Sequence, residues 1–294
     1  MNILKKVYLF LLLLSYVPCN AVRLAEQLQV FGYAEIADYQ AQAAHTFDML
    51  YFYFDQLVDF LQENPACKQK LYLAKERFIR SKSSSFYGTD FFGLYDQSHI
   101  PSKAQIAFYY SVSFHQFLMT HFQELYNIPA LHNFLEACYA IQEPSHDLFF
   151  YAAEELQLNT MFRLQHQEDI PILYKIVKYL PHYMHTKPHY DGTVFSLFLH
   201  STDPQAVLVA PYQELLTIEA FKAPVRTLSN LDAQQSMILI LGGLLTDYGM
   251  YPTPHIVVAT GQTRYATIAF AMRPHYIRPK IEFAALPSFY NIIS

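Results

Sequence analysis

His189 and Asp191 stand two residues apart in the run Lys187-Pro188-His189-Tyr190-Asp191-Gly192. On an extended strand that spacing puts both side chains on one face, close enough to grip a single ion. Pro188 and Gly192 bracket the pair and mark where such a strand begins and turns. A third side chain of ligand type, His255, follows in Pro252-Thr253-Pro254-His255-Ile256-Val257-Val258. Two imidazoles and one carboxylate on one side of an octahedron form the facial triad of non-haem iron(II) sites, which leaves positions open for a bidentate co-substrate and dioxygen. Arg264 comes next, in Thr263-Arg264-Tyr265-Ala266-Thr267. If His255 and Arg264 lie on adjacent antiparallel strands, the guanidinium points into the same cavity. Its planar fork then suits the carboxylate of an oxo-acid or of a substrate.

The elements that must hold these residues change character near Pro171. From 22 to about 170 the chain reads mostly as helix, after a short strand around Val30 to Ile36. Phe47, Leu50, Phe54, Leu57 and Leu61 recur at steps of three and four, the stripe of an amphipathic helix, and Pro65 stops it. Lys103 to Tyr126 and Ala130 to Gln142 read as further helices, and Arg80 to Gly88 as a loop. After Pro171 come short apolar or alternating runs separated by turn residues: 172–180, 194–199, 206–209, 215–218, 237–241, 255–258 and 265–272. Short strands at such intervals fit an all-β sandwich or barrel, and strands closing over one cavity suit a jelly roll.

Composition narrows the function classes. The chain has 294 residues, 52% hydrophobic and 15% charged, with a net charge of -5. It is therefore globular, and it carries no basic stripe interleaved with aromatics of the kind a nucleic-acid groove requires. Tyr and Phe number 24 each, with no Trp, so an apolar cavity is walled by these rings and suits a small organic ligand. Lys5 and Lys6, the apolar run Val7 to Val17 and Pro18-Cys19-Asn20-Ala21 read as a signal peptide, residues 1–21, cleaved after Ala21. That implies export to a periplasmic or secreted location with no stable membrane anchor afterwards. Pro18 is a poor neighbour for a lipid-modified Cys19. Cys67 and Cys138 remain, either as one disulfide or, preferred here, as ordinary buried thiols.

The order and spacing of these pieces resemble the 2-oxoglutarate and Fe(II)-dependent oxygenase superfamily, in its isopenicillin N synthase-like branch. Ile172 to Tyr179 resembles the strand before the triad, and His189 to Phe198 its His-x-Asp strand. Met237 to Leu245 is similar to the apolar strand running into a Gly-Asp turn. Thr253 to Val257 and Arg264-Tyr265-Ala266 resemble the distal His and the Arg-x-Ser motif. The match covers about 172 to 274 well, and Phe31 to Ile36 more faintly resembles the start of the family's helical N-terminal domain.

The resemblance implies an α+β chain with a double-stranded β-helix (jelly-roll) core. In that reading residues 22–170 form a mainly helical N-terminal domain, 171–276 the iron-binding domain and 277–294 a C-terminal tail. It further implies iron(II) on His189, Asp191 and His255, and 2-oxoglutarate on Arg264 with Tyr179 lining the pocket. Dioxygen is the oxidant, and a small organic substrate is hydroxylated or desaturated. Three positions depart from the pattern: Ala266 replaces the motif Ser, Val177 stands where many members have Asn, and Gly243 replaces the Asp of the turn. These thin the 2-oxoglutarate site and leave the metal site whole. Two other readings stay open: an oxidase of this fold that uses no 2-oxoglutarate, and an exported, inactive ligand-binding homologue. His182 and His185 read as solvated loop residues, His200 as a satisfied or pocket-lining side chain, and Leu148 to Tyr151 as packing.

Overall fold

The computed structural model describes residues 24–36, 40–81, 92–100, 103–158, 171–183, 189–203, 207–209, 237–258 and 260–272. The expected signal peptide, the run 215–218, the tail 277–294, His185 and most of the loop 80–88 lie outside them.

Helical residues 24–31 turn into strand β1 (Tyr33–Ile36) at Gly32, whose φ of 78° is the left-handed region that glycine enters without a Cβ penalty. Helix α1 (Gln40–Glu63) buries Phe47, Leu50, Phe54, Leu57 and Leu61, the stripe expected from the sequence. Asn64 ends it by bonding back to the Phe60 carbonyl at 2.9 Å through both backbone and side chain. Pro65, which has no N–H to lose, opens α2 (Pro65–Ser81). Strands β2 (Gly93–Asp96) and β3 (Gln105–Tyr110) follow. Then come α3 (Val112–His121), α4 (Gln123–Tyr126), α5 (Pro129–Ala140) and α6 (Glu143–Glu155).

The helix expected over Lys103 to Tyr126 is therefore corrected in its first third. Ile106 to Tyr110 is an unbroken apolar run because β3 is covered on both faces, and such a run has no period to separate strand from helix. The true start of α3 is marked by Ser111, whose hydroxyl accepts from the Phe114 N–H at 3.2 Å.

Beyond 171 lie β4 (Ile172–Tyr179), β5 (Phe195–Ser201), β6 (Val207–Val209), β7 (Met237–Leu241), β8 (His255–Val257) and β9 (Arg264–Ala271). Among the described residues, seven strands form one sheet in the order β1-β7-β5-β9-β4-β3-β2, with every pair antiparallel, while β6 and β8 form a second. The large sheet draws β1, β2 and β3 from before residue 171, so the change of texture there is no break in the sheet.

Register assigns the two faces of the large sheet. Phe108, Ile176, Lys178, Tyr265 and Thr267 face the helices. Phe108 packs edge-on against Phe134 of α5, Lys178 pairs with Asp55 of α1 at 2.8 Å, and Thr267 donates to Tyr51 Oη at 3.1 Å. The alternate residues Tyr109, Lys175, Val177, Tyr179, Arg264, Ala266, Ile268, Ser196 and Phe198 share the other face.

Candidate metal centre

His189, Asp191 and His255 come together on that second face. Each offers a ligand atom, and these atoms lie within 4.8 Å of one another. Asp191 Oδ1 is 3.9 Å from His189 Nε2, and its Oδ2 is 3.7 Å from His255 Nε2. The backbone sets the pair of imidazoles. His189 and His255 exchange both N–H···O bonds, at 3.0 and 2.8 Å, as an isolated antiparallel bridge, which brings the ring centroids to 4.3 Å. His255 is thus held in the small sheet, with Val209 of β6 on its other side.

Asp191 is positioned from the large sheet. Ser196 Oγ, at the start of β5, donates to Asp191 Oδ2 at 2.7 Å, and the Ser196 hydroxyl is itself 3.0 Å from Thr193 Oγ1. The turn after β7 grips the same segment: Gly243 N–H donates to the Asp191 carbonyl at 2.7 Å and Gly242 N–H to Val194 O at 2.9 Å. A Cβ on Gly242 would sit 2.0 Å from the Thr193 carbonyl oxygen, so only glycine allows this approach. Thr253 ties His255 to β7 and β1: its N–H donates to Leu241 O at 2.9 Å, and its hydroxyl donates to Gly32 O.

The charge states suit a metal. Burial works to raise the Asp191 carboxyl, but His255, His189, the Ser196 hydroxyl and Lys175 outweigh it and hold the group below its ordinary value. Burial, with His189 beside it, pushes His255 down against the pull of Asp191, so its imidazole is neutral at pH 7. His255 Nδ1 lies 3.4 Å from the Thr253 carbonyl, an acceptor, which leaves the Nε2 lone pair free toward Asp191. Two imidazoles and an anionic carboxylate are the nitrogen–oxygen donor set that iron(II) takes. Phe198 stands edge-on to His255 at 5.7 Å and supplies an apolar wall.

Arg264 lies on the same face but reaches it differently from the expectation. β8 and β9 are not paired; β9 pairs with β4 and β5, and Arg264 stands directly opposite Tyr179. The two motifs still meet, because Arg264 Nη2 donates to the carbonyl of Val258, just past β8, at 2.8 Å. The guanidinium is buried and lies 4.1 Å over the Tyr179 ring, and its Nη1 has no hydrogen-bond partner among the described residues. Ala266 faces Val177 on the site side, and Thr267 turns its hydroxyl to the helices.

Among the described residues, His182, His200 and the two cysteines take no part. A register shift between Phe198 and His200 turns His200 to the helix face, where it stacks on Phe47 and bonds Tyr51 Oη at 3.1 Å. His182 is exposed. Cys67 and Cys138 are free thiols, the second buried, and Phe149 stacks on Phe195 as packing. Ser196 and Lys175 lie within the matched runs His189 to Phe198 and Ile172 to Tyr179 without a motif role of their own; their signal is the period of two that places them on the face of the triad.

No family model matches the sequence, and no curated protein matches it. Solved structures do. The dioxygenase for auxin oxidation 1 of Arabidopsis thaliana, in a binary complex with 2-oxoglutarate, is 14% identical with a TM-score of 0.54, covering 86% of this chain and 88% of that one. JOX2 in complex with 2OG, Fe and JA is 12% identical with a TM-score of 0.58, covering 92% and 76%. The dioxygenase for auxin oxidation in rice is 13% identical with a TM-score of 0.54, covering 86% and 78%. At such identities the likeness is one of architecture: the chain shares the fold of the 2-oxoglutarate and iron(II)-dependent oxygenases, as its motifs imply.

Proposed function

We propose that this protein is a non-haem iron(II)-dependent oxygenase that uses 2-oxoglutarate to hydroxylate or desaturate a small organic substrate. The observation that carries the reading is the convergence of His189, Asp191 and His255 on the sheet face that also bears Arg264, a buried guanidinium whose Nη1 has no partner among the described residues. A buried charged group is costly unless paired, and the carboxylate of an oxo-acid would supply the acceptor that Nη1 lacks. The architecture shared with structures containing 2OG and Fe supports the assignment. The two sheets are read as the two halves of a jelly roll, with the triad between them.

Each side chain has a definite task. His189, Asp191 and His255 hold the metal, and Ser196 fixes which way the Asp191 carboxylate points. Arg264, stiffened by Tyr179 beneath it, anchors the distal carboxylate of the oxo-acid. Phe198, Val177 and Ile268 keep water from the reacting centre. The metal, when bound, supplies the one-electron and dioxygen chemistry that side chains lack. We also take residues 1–21 as an export signal, so the protein works in a periplasmic or secreted setting.

A second reading, an oxidase of the same fold that does without 2-oxoglutarate, draws on Ala266 and Val177. These face each other where a hydroxyl and an amide would have helped to hold the oxo-acid. Incubation with iron(II), ascorbate and 2-oxoglutarate decides: succinate forms in the presence of iron if the oxo-acid is consumed. Oxygen uptake that is unchanged when the oxo-acid is omitted favours the oxidase, and neither succinate nor oxygen uptake with any candidate substrate defeats both.

A further inference from the structure

Lys175 is the cation on the site face that nothing yet employs. It lies in the middle of β4, directly opposite Tyr109 of β3 and Ile268 of β9, on the face that carries Val177, Tyr179, Arg264 and the triad. Its neighbour Lys178, on the helix face of the same strand, has a carboxylate at 2.8 Å, and Lys68 has one at 2.6 Å. Among the described residues, no carboxylate pairs with Lys175 in this way. Its ammonium is 5.9 Å from the ring centroids of both Tyr109 and Tyr179, a shallow aromatic cradle. Burial opposes the charge, but the phenols of Tyr109, Tyr179 and Tyr183 and the Asp191 carboxylate prevail, so the ammonium persists.

Charge counting shows what is missing. On the proposed function, on which this inference rests, a divalent iron and Arg264 are balanced by Asp191 and the two carboxylates of the oxo-acid. Lys175, which is half-buried, is then the surplus positive charge on this face, and a charge partly withdrawn from water gains from a counterion. Arg264 stands opposite Tyr179, four residues along β4 from Lys175, and the two cations approach the Tyr179 ring separately, the guanidinium at 4.1 Å and the ammonium at 5.9 Å from its centroid. We propose that Lys175 anchors the anionic group of the substrate, and that the substrate class is therefore a small carboxylic acid with an apolar body. The acid lies with its carboxylate on Lys175 and its hydrocarbon against Phe198, Val177 and Ile268.

Calorimetric titration of the anaerobic iron(II)-loaded protein, with and without 2-oxoglutarate, tests this with acid–amide pairs: phenylacetate against phenylacetamide, and hexanoate against hexanamide. At least one acid should bind about tenfold more tightly than its amide, the worth of one charge-assisted hydrogen bond. Lys175→Gln should erase that preference while leaving 2-oxoglutarate affinity within about twofold, and Lys175→Arg should retain most of it. The Arg variant, together with an unchanged melting profile, separates loss of the anchor from loss of the fold. The proposal is overturned if neither acid is preferred, if the preference survives Lys175→Gln, or if that variant weakens 2-oxoglutarate instead. Should 2-oxoglutarate not bind the wild type while the Lys175-dependent preference remains, the oxo-acid reading falls and the anion site stands.

Discussion

Ser196 and Arg264 show how single residues tune this site without being metal ligands. Ser196 holds one oxygen of Asp191 through a 2.7 Å bond, so removing the hydroxyl frees the carboxylate to rotate away from the imidazoles. Such supporting contacts are worth about 10–100-fold in metal affinity. Ser196→Ala should weaken metal binding by about that factor in a competition titration, with the stoichiometry unchanged; wild-type affinity in this variant would show that the hydroxyl does not orient the ligand. Arg264→Gln should raise the dissociation constant of 2-oxoglutarate at least about tenfold, since it removes a charge-assisted fork. Metal uptake should stay intact in that variant. An equal loss of metal and oxo-acid binding would mean that the arginine supports the fold around β8 and not the ligand.

At the scale of elements, the site is a place where three short segments are clamped together, and the clamp needs glycine. Gly242 lies against the Thr193 carbonyl with no room for a Cβ, and its N–H bonds Val194. Gly242→Ala forces the β7 turn off the 191–194 segment and should destabilise the protein by about 1–3 kcal/mol or more in denaturant unfolding. Metal affinity should fall with it, whereas a variant of unchanged stability would contradict the clamp. Much of this arrangement is legible in the sequence. The β7 run Met237 to Leu241 is an unbroken apolar stretch bounded by turns, and His189, Asp191 and His255 do converge, although His189 makes only an isolated bridge and Asp191 lies in irregular backbone rather than on the strand their spacing suggests. Two things are not legible. Residues 106–110 are buried on both faces and so carry no period, and β2 is too short to show one. Strand pairing is hidden too, because alternation says which face a residue takes and not which neighbour it meets. For that reason the sequence suggests Arg264 beside His255, and the fold sets it opposite Tyr179.

For the whole molecule, the link between the helical layer and the sheet edge should set the acid limit of stability. Asp96 at the end of β2 accepts from Lys68 of α2 at 2.6 Å and from Ser98. Burial works to raise its carboxyl, but those bonds prevail and hold it below the usual carboxylate value. A depressed folded-state value means the contribution is fully present above the unfolded value of about 4 and is lost as pH falls through the lower folded one. Asp96→Asn should therefore lower the denaturant midpoint at neutral pH and flatten its fall below about pH 4. A parallel shift at all pH values would assign the effect to packing alone. The central claim concerns the three ligands, and metal titration of the purified protein reaches it most directly. One equivalent of iron(II) per chain should bind in the wild type and raise the melting temperature by mass action, and Asp191→Ala should abolish both effects. Binding of one equivalent that survives Asp191→Ala, or no binding to the wild type at all, would contradict the assignment of His189, Asp191 and His255 as an iron site.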